Sequence, residues 1–275
     1  MVALTVFAGL SISLQAQDAV KPERPRFFAY WGWNRDVYSA SDIHFQGDGY
    51  NFTLSHVAAH DKPIPLAFDP YFHPTKVTIP QTNARIGLMV KPNLSLSLTL
   101  DHMKYVMEQD QDVKTRGVIH LGTPYDGSHR GDFVHTNKDF LKFEHTDGLN
   151  YISTELRHYS PLLSLHRGKF LHLDIDATQG FGAGFLLPKT NCTLLGKPRH
   201  DDFHLSGWGS HVLSGLQFRF WKYFLIEPEL KGGFINLPDI RTTSDPTDRA
   251  DQHFWYGSFD VLVGGAFDIG RKRVD

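Results

Sequence analysis

The chain has 275 residues, a formal net charge of −2 and a pI near 6.8, so it is long enough for one large domain and has no basic excess that would favour a nucleic-acid partner. Its 24 glycines, 21 phenylalanines and 10 tyrosines favour pleated, aromatic-rich surfaces over helices. The single cysteine, Cys192, excludes an internal disulfide, and the 16 histidines are scattered along the chain. The sequence therefore predicts no cofactor, no metal site and no catalytic residue.

The N-terminal segment has the features of a secretory signal. Residues 2–14 form an apolar run too short to cross a membrane as a helix, and the small residue Ala16 follows at a plausible cleavage position. We therefore predict a signal peptide at 1–17 and one outer-membrane β-barrel domain at 18–275. No later run of 18 apolar residues exists, so a membrane location would require a closed barrel.

Alternating apolar and polar residues then recur along the chain. The clearest case is Leu171–Phe185, where apolar residues hold all odd positions except Gln179, and polar residues or glycine hold all the even ones. Such alternation over about fifteen residues is longer than an ordinary strand sustains and suits a tilted membrane strand. The candidate strands are, in chain order, 27–33, 41–45, 50–57, 85–90, 94–107, 149–165, 171–185, 205–220, 224–234 and 255–269.

The connections between these strands alternate between short and long. Short turns are expected at Pro92-Asn93, Arg167-Gly168 and Trp221-Lys222. Long loops are expected at 60–81, 109–148, 188–202 and 236–252. Outer-membrane barrels combine short periplasmic turns with long external loops in this way. The sequence thus predicts an all-β, closed, antiparallel, up-and-down transmembrane barrel of eight to ten strands, with ten preferred because both 27–33 and 41–45 are counted as crossings.

The direction of the two strand faces decides between a membrane barrel and a soluble one. A lipocalin-like barrel with an apolar pocket would place the charged residues in solvent. The strand lengths, the glycines on the polar face and the aromatic residues near strand ends favour the membrane alternative, in which charges face inward and must pair. The predicted lumen charge network consists of Arg85, Asp101, Glu155, Arg157, Asp174, Asp176, Arg219, Glu227, Glu229, Lys231 and Asp260.

Five parts of the chain carry a family resemblance: Tyr30–Arg35, Ser41–Phe45, Asp101–Met107, Lys189–Asn191 with Leu195–Lys197, and Lys231–Asn236. In these segments the sequence resembles a family of uncharacterised outer-membrane β-barrel proteins of Bacteroidetes-type bacteria. The resemblance covers most of the chain after the signal peptide. It implies an outer-membrane location and a barrel architecture, and it brings no catalytic residue with it.

Two motifs in the sequence have counterparts in outer-membrane enzymes. Asp174 and Asp176 with His172 resemble the acidic and imidazole groups of omptin-like proteases, but they follow a short turn, where an external substrate has no access. His204 and Ser206 have the His-x-Ser spacing of lipid A deacylases, but no outward-facing glutamate is evident on the next strand.

The sequence therefore predicts a non-enzymatic protein of the cell outer membrane, with a charge-filled lumen and loops for external binding or an envelope structural role. A narrow channel for small solutes and an outer-membrane lipid hydrolase are the alternatives. The expected partners are outer-membrane lipid, the barrel-assembly machinery and an unknown external ligand, with no nucleic acid.

Overall fold

The computed structural model describes residues 24–65, 67–71, 81–168 and 170–268, so the predicted signal peptide lies outside the described residues. It contains one antiparallel sheet of fourteen strands and a four-residue helical turn, α1 (Phe68–Tyr71). The strands are β1 (Phe27–Tyr38), β2 (Ser41–Gly47), β3 (Tyr50–Val57), β4 (Ala59–Asp61), β5 (Thr82–Lys91), β6 (Leu94–Met107), β7 (Asp112–Ile119), β8 (Gly127–His135), β9 (Leu141–Arg167), β10 (Leu171–Pro188), β11 (Asn191–Leu194), β12 (Gly207–Phe220), β13 (Phe224–Arg241) and β14 (Arg249–Phe267). No helix among these residues is long and apolar enough to cross a membrane. The predicted all-β antiparallel class is confirmed.

Eight of the strands form a closed ring. Their order is β1-β5-β6-β9-β10-β12-β13-β14, and β14 pairs with β1 to complete it. The order of the strands around the ring is the same as their order along the chain, and the remaining six strands are inserted between ring strands. Three short connections, from β5 to β6, from β9 to β10 and from β12 to β13, join ring strands at one end, which we call the short-turn end. The connections at the opposite, long-loop end carry β2–β4, β7–β8 and β11.

The ring has an inverted polarity, with apolar side chains outside and charged side chains inside. On β10, Asp174 and Asp176 are buried while Phe181 and Phe185 are exposed. Other ring strands follow the same parity, because successive side chains of a strand point to opposite faces. The exposed apolar residues on the outside of the ring include Ile86, Leu96, Leu98, Leu100, Val212, Leu216, Leu230, Trp208, Trp255 and Phe259. This arrangement is the opposite of a soluble barrel with an apolar pocket.

Four strands extend the sheet beyond the ring at the long-loop end. β2 pairs with the first four residues of β14, and β3, β7 and β8 follow in order, forming what we call the outer sheet. The predicted crossings at 41–45 and 50–57 are therefore wrong, because these strands lie in the outer sheet and take no part in closing the ring. The preferred number of ten strands is wrong as well: the whole sheet has fourteen strands, and the ring has eight.

The outer sheet and the long-loop ends of the ring strands enclose an apolar core, which we call the outer core. Phe45, Phe52, Tyr105, Phe143 and Phe254 are fully buried there. Their rings pack at centroid distances of 5.1 to 6.5 Å in tilted, edge-on and stacked pairs. Apolar faces that the alternation pattern assigned to lipid are thus buried between strands in this part of the molecule.

The ring strands differ greatly in length. β9 has 27 residues and β5 has 10, so β9 continues past the turn that joins β5 to β6. Its pairing with β6 ends at His158. Residues 160–167 are all exposed, and apart from Leu162, at an irregularity in the register, they pair with β10. The β9–β10 hairpin therefore projects beyond its β6 neighbour at the short-turn end.

Candidate functional site

The centre of the ring is filled by a network of buried ion pairs. Arg85 on β5 makes two 2.7 Å hydrogen bonds from its Nη2 to the two carboxylate oxygens of Glu229 on β13. Arg157 on β9 reaches Glu155 at 2.6 Å, Glu227 at 2.9 Å and Glu229 at 2.5 Å. All five side chains are 0 to 1% exposed. Two guanidinium groups thus join three carboxylates across the lumen, in the planar geometry that arginine favours.

A lysine extends this network towards the long-loop end. The Nζ of Lys231 lies 2.8 Å from Asp101, 3.2 Å from Asp260, 3.5 Å from Glu155 and 3.6 Å from Glu229. In this central network, five carboxylates face three cations, all of them from ring strands. Because an isolated buried charge is very costly, each of these side chains depends on the others for its stability in the lumen.

A second group of charges lies near the short-turn end. Arg219 on β12 bonds Asp174 on β10 at 3.0 Å. Arg24, which precedes β1, reaches into the ring, where it bonds Asp176 at 2.6 Å and lies 4.9 Å from the centre of the Tyr159 ring. The cavity beside Arg24, Tyr159 and Arg219 measures only about 20 Å³. The segment that enters β1 therefore fills this end of the lumen.

All eleven residues of the predicted lumen network are buried, and each has a salt bridge within 4 Å. The structure divides them into two clusters: Asp174, Asp176 and Arg219 lie at the short-turn end, and the other eight lie in the central network.

Further polar groups that the sequence analysis did not assign to the network complete the lumen. His211 on β12 binds Glu155 through Nε2 at 3.0 Å and Tyr151 through Nδ1 at 3.1 Å. Gln217 donates to the hydroxyl of Tyr30 at 2.7 Å, and Arg85 lies 5.1 Å from the centre of the Tyr30 ring. The signal that could have found Gln217 and His211 is their parity, because they share the polar face of β12 with Arg219.

Glycines make room for these large side chains. A Cβ atom at Gly182 on β10 would lie 2.6 Å from Cε1 of His211 and 2.9 Å from Cγ of Glu155. Real Cβ atoms do not approach other atoms so closely, so a side chain at this position would displace the His211–Glu155 pair. The glycines on the polar face of β10 therefore permit a lumen packed with long side chains.

The long-loop end of the molecule has two titratable groups with lowered pKa values and an open cleft. His145 on β9 is fully buried, with its Nδ1 3.0 Å from the hydroxyl of Thr190, and burial lowers its pKa to about 3. Backbone N–H groups of Thr123 and Gly122 lower the pKa of the exposed Asp126 to about 2. Next to this turn lies a cleft of about 430 Å³, lined by Thr123, Pro124, Tyr125, Lys138, Asp139, Thr193, Leu195 and Gly196.

The side chains of the His-x-Ser motif, His204 and Ser206, have hydrogen-bond partners other than each other. The Nε2 of His204 lies 2.8 Å from Oδ2 of Asp239, an acid on β13 that the sequence analysis did not identify. Ser206 is 2% exposed, and its hydroxyl donates a hydrogen bond to the carbonyl oxygen of His204 at 3.3 Å. The imidazole is therefore directed to a carboxylate and the hydroxyl to the backbone.

Known proteins resemble this chain in structure, although their sequences differ greatly from it. No protein-family model matches the chain, and no curated protein sequence matches it significantly. The chain is similar to the outer membrane protein OprG from Pseudomonas aeruginosa, with 10% identity, a TM-score of 0.39, and coverage of 89% of this chain and 98% of OprG. It is also similar to the outer membrane protein AlkL in lipid bilayers (9% identity, TM-score 0.41, coverage 94% and 97%) and to the attachment invasion locus protein Ail of Yersinia pestis (8% identity, TM-score 0.23, coverage 86% and 99%). At these TM-scores the similarity supports no inference about the function of this chain.

Proposed function

We propose that the chain is an integral outer-membrane β-barrel protein that is not an enzyme, whose closed barrel anchors the outer sheet on the cell surface. The inverted polarity of the ring supports the membrane location. Exposed leucine, valine, phenylalanine and tryptophan side chains cover its outside, and a contiguous apolar surface of this kind is stable in lipid and unfavourable in water. A closed ring also satisfies the backbone hydrogen bonds that hydrocarbon leaves without a partner.

The observation that carries this proposal is the filled lumen. Arg24 occupies the short-turn end, the ion-pair network crosses the centre, and the outer core covers the long-loop end. An aqueous channel needs a continuous path, and these three layers interrupt it with side chains that bind one another. Transport of small solutes is therefore the less favoured function.

The part left for interaction with the surroundings is the outer sheet with its adjoining cleft. Among the described residues, β8 is the last strand of the sheet, so its outer edge has no strand partner there, and Phe133 on this strand is 66% exposed. The cleft beside Tyr125 and Lys138 combines an aromatic ring with a charged group. We propose that an external ligand binds here, while outer-membrane lipid surrounds the ring and the barrel-assembly machinery inserts it.

Conductance across a planar lipid bilayer tests the closed lumen. Purified, refolded protein is expected to give no stepwise openings at concentrations at which an open porin, measured in the same bilayer, does. Discrete openings of the wild-type protein would refute the filled lumen and favour the small-solute channel.

The lipid-facing surface has its own test. Tryptophan fluorescence of a variant that keeps Trp255 and replaces the other four tryptophans by phenylalanine is expected to be quenched strongly by brominated lipids, because Trp255 lies 65% exposed on the outer face of β14. A matched variant that replaces all five tryptophans by phenylalanine and carries its only tryptophan at the neighbouring position, Phe254→Trp, is expected to be quenched less, because the Phe254 side chain is 1% exposed in the outer core. Equal quenching of the two, or a fully water-soluble wild-type protein, would contradict the membrane location.

The hydrolase alternative is tested on lipid A. Cells that produce the wild-type protein and cells that produce the Ser206→Ala variant are expected to have the same lipid A acylation pattern. An acylation change that depends on Ser206 would instead establish a lipid hydrolase.

A further inference from the structure

Two histidines and an aspartate meet on one face of the β9–β10 hairpin near its turn. His166 and His172 are directly opposite each other in the register of the two strands. Asp174 lies two residues after His172 and therefore points to the same face. The Nε2 of His166 is 3.1 Å from Oδ1 of Asp174, and the Nε2 of His172 is 3.5 Å from Oδ2. One ligand atom from each of the three residues lies within 4.8 Å of the other two.

These separations match those of ligands around one metal ion. Zinc binds imidazole nitrogen and carboxylate oxygen at about 2.0–2.2 Å in tetrahedral geometry, which places its ligand atoms about 3.4 Å from one another. The two nitrogen–oxygen distances, 3.1 Å to Oδ1 and 3.5 Å to Oδ2 of Asp174, bracket that value, and no separation within the group exceeds 4.8 Å. The two imidazole rings are 49% and 39% exposed, so water has access to the remaining coordination position.

Neighbouring groups hold the carboxylate in place. The hydroxyl of Ser164 donates to Oδ1 of Asp174 at 2.7 Å, and Arg219 donates to Oδ2 at 3.0 Å. Partners of this kind, which bind a ligand but not the metal, orient the ligands of natural metal sites. The Asp174 carboxylate is therefore buried and fixed in orientation before any metal ion binds.

We propose that His166, His172 and Asp174 bind a divalent transition-metal ion, zinc in the first place, at the short-turn end of the barrel. Two imidazoles and one carboxylate suit zinc, nickel or copper, whereas calcium and magnesium prefer oxygen ligands only. The ion cross-links β9 and β10 next to their turn, in the part of the hairpin where β9 has lost its β6 neighbour. Its role is to hold a projecting, otherwise weakly supported hairpin in one conformation. The site does not rest on the function proposed above.

Calorimetric titration of the full-length protein with Zn²⁺, in detergent and without a histidine tag, tests this site. We expect one zinc ion per chain in the wild-type protein. The His172→Gln variant is expected to bind at least about tenfold more weakly, because loss of even an outer-shell partner costs about 10- to 100-fold in affinity. Gln at position 172 can still donate a hydrogen bond to Asp174 but offers no imidazole nitrogen to a metal. If residue 172 only oriented Asp174, the zinc affinity of His172→Gln would therefore equal that of the wild type.

Two further measurements keep the result specific. The His204→Ala and His135→Ala variants, which change histidines far from the hairpin in the pairing of the sheet, are expected to bind zinc as the wild type does. Hydrogen exchange of amides 162–173 is expected to slow on addition of Zn²⁺ in the wild type and not in His172→Gln. Absence of saturable one-site binding, equal affinity of wild type and His172→Gln, or loss of binding in the control variants would each overturn the proposal.

Discussion

Replacement of Arg157 by methionine removes the guanidinium that joins three carboxylates in the centre of the ring. Its contacts with Glu155, Glu227 and Glu229 are 2.6, 2.9 and 2.5 Å long, and the side chain is 0% exposed. Methionine has a similar length, so the cavity is small and the electrostatic effect dominates. In the variant, five carboxylates would face only Arg85 and Lys231. Since removal of one partner of a buried ion pair costs about 3–5 kcal/mol, we expect the free energy of unfolding to fall by that amount.

Urea unfolding in lipid vesicles, followed by tryptophan fluorescence, measures this loss. Arg130→Met on the exposed edge strand β8 is the matched control and is expected to change the free energy of unfolding by less than about 0.5 kcal/mol. A double variant, Arg157→Met with Glu155→Gln, is expected to recover part of the loss, because contacting residues couple by about 0.5–3 kcal/mol. A loss below about 1 kcal/mol in Arg157→Met would refute the view that the network is closed to water and mutually dependent.

Two other predictions concern the lumen glycines and the outer core. Gly182→Val is expected to lower the free energy of unfolding by about 1–3 kcal/mol, because the new side chain would collide with His211. Gly232→Val is the control and is expected to be neutral, since no atom lies within 4 Å of the added Cβ. Equal effects of the two variants on the urea midpoint would contradict the packing described. The pKa of His145 is lowered to about 3 in the folded state, so the unfolded chain alone takes up this proton below about pH 6.5, and stability is lost as pH falls from about 6.5 towards 3. Below pH 6, His145→Gln is therefore expected to reduce the pH slope of the unfolding free energy by up to about 1.4 kcal/mol per pH unit. Leu141→Val, which changes the same outer core without removing a titratable group, is expected to leave the slope unchanged, and an unaltered slope in His145→Gln would show that this ring is not held neutral by burial.

Strand parity explains how much of the architecture was predictable. Period-two alternation along Leu171–Phe185 and the other long segments identifies ring strands, because the face of a strand is fixed by the position of each residue. The same alternation occurs in β2 and β3, where Ile43, Phe45, Phe52 and Leu54 are buried in the outer core. An apolar residue directed to lipid and one directed to a protein core follow the same pattern, so the sequence overcounted the ring strands.

The contacts within the lumen were less predictable than the faces. Arg85 and Glu229 share the inner face of the ring but are 144 positions apart in the chain. Which of the inner charges meet depends on the stagger of the strands and on the width of the ring, and neither follows from local pattern. The side chain of Arg24 enters the lumen, and no local pattern in the sequence around it indicates this.

The outer sheet is connected to the ring through strands that continue directly into it. β1 ends at Tyr38 and β2 begins at Ser41, and β6 ends at Met107 shortly before β7 begins at Asp112. A ligand that pulls on the outer sheet therefore applies tension along the axes of β1 and β6, each of which is hydrogen-bonded on both sides within the ring. Under such shear, many backbone hydrogen bonds carry the load at once instead of opening one after another, and this mechanical resistance suits the anchoring role proposed for the barrel.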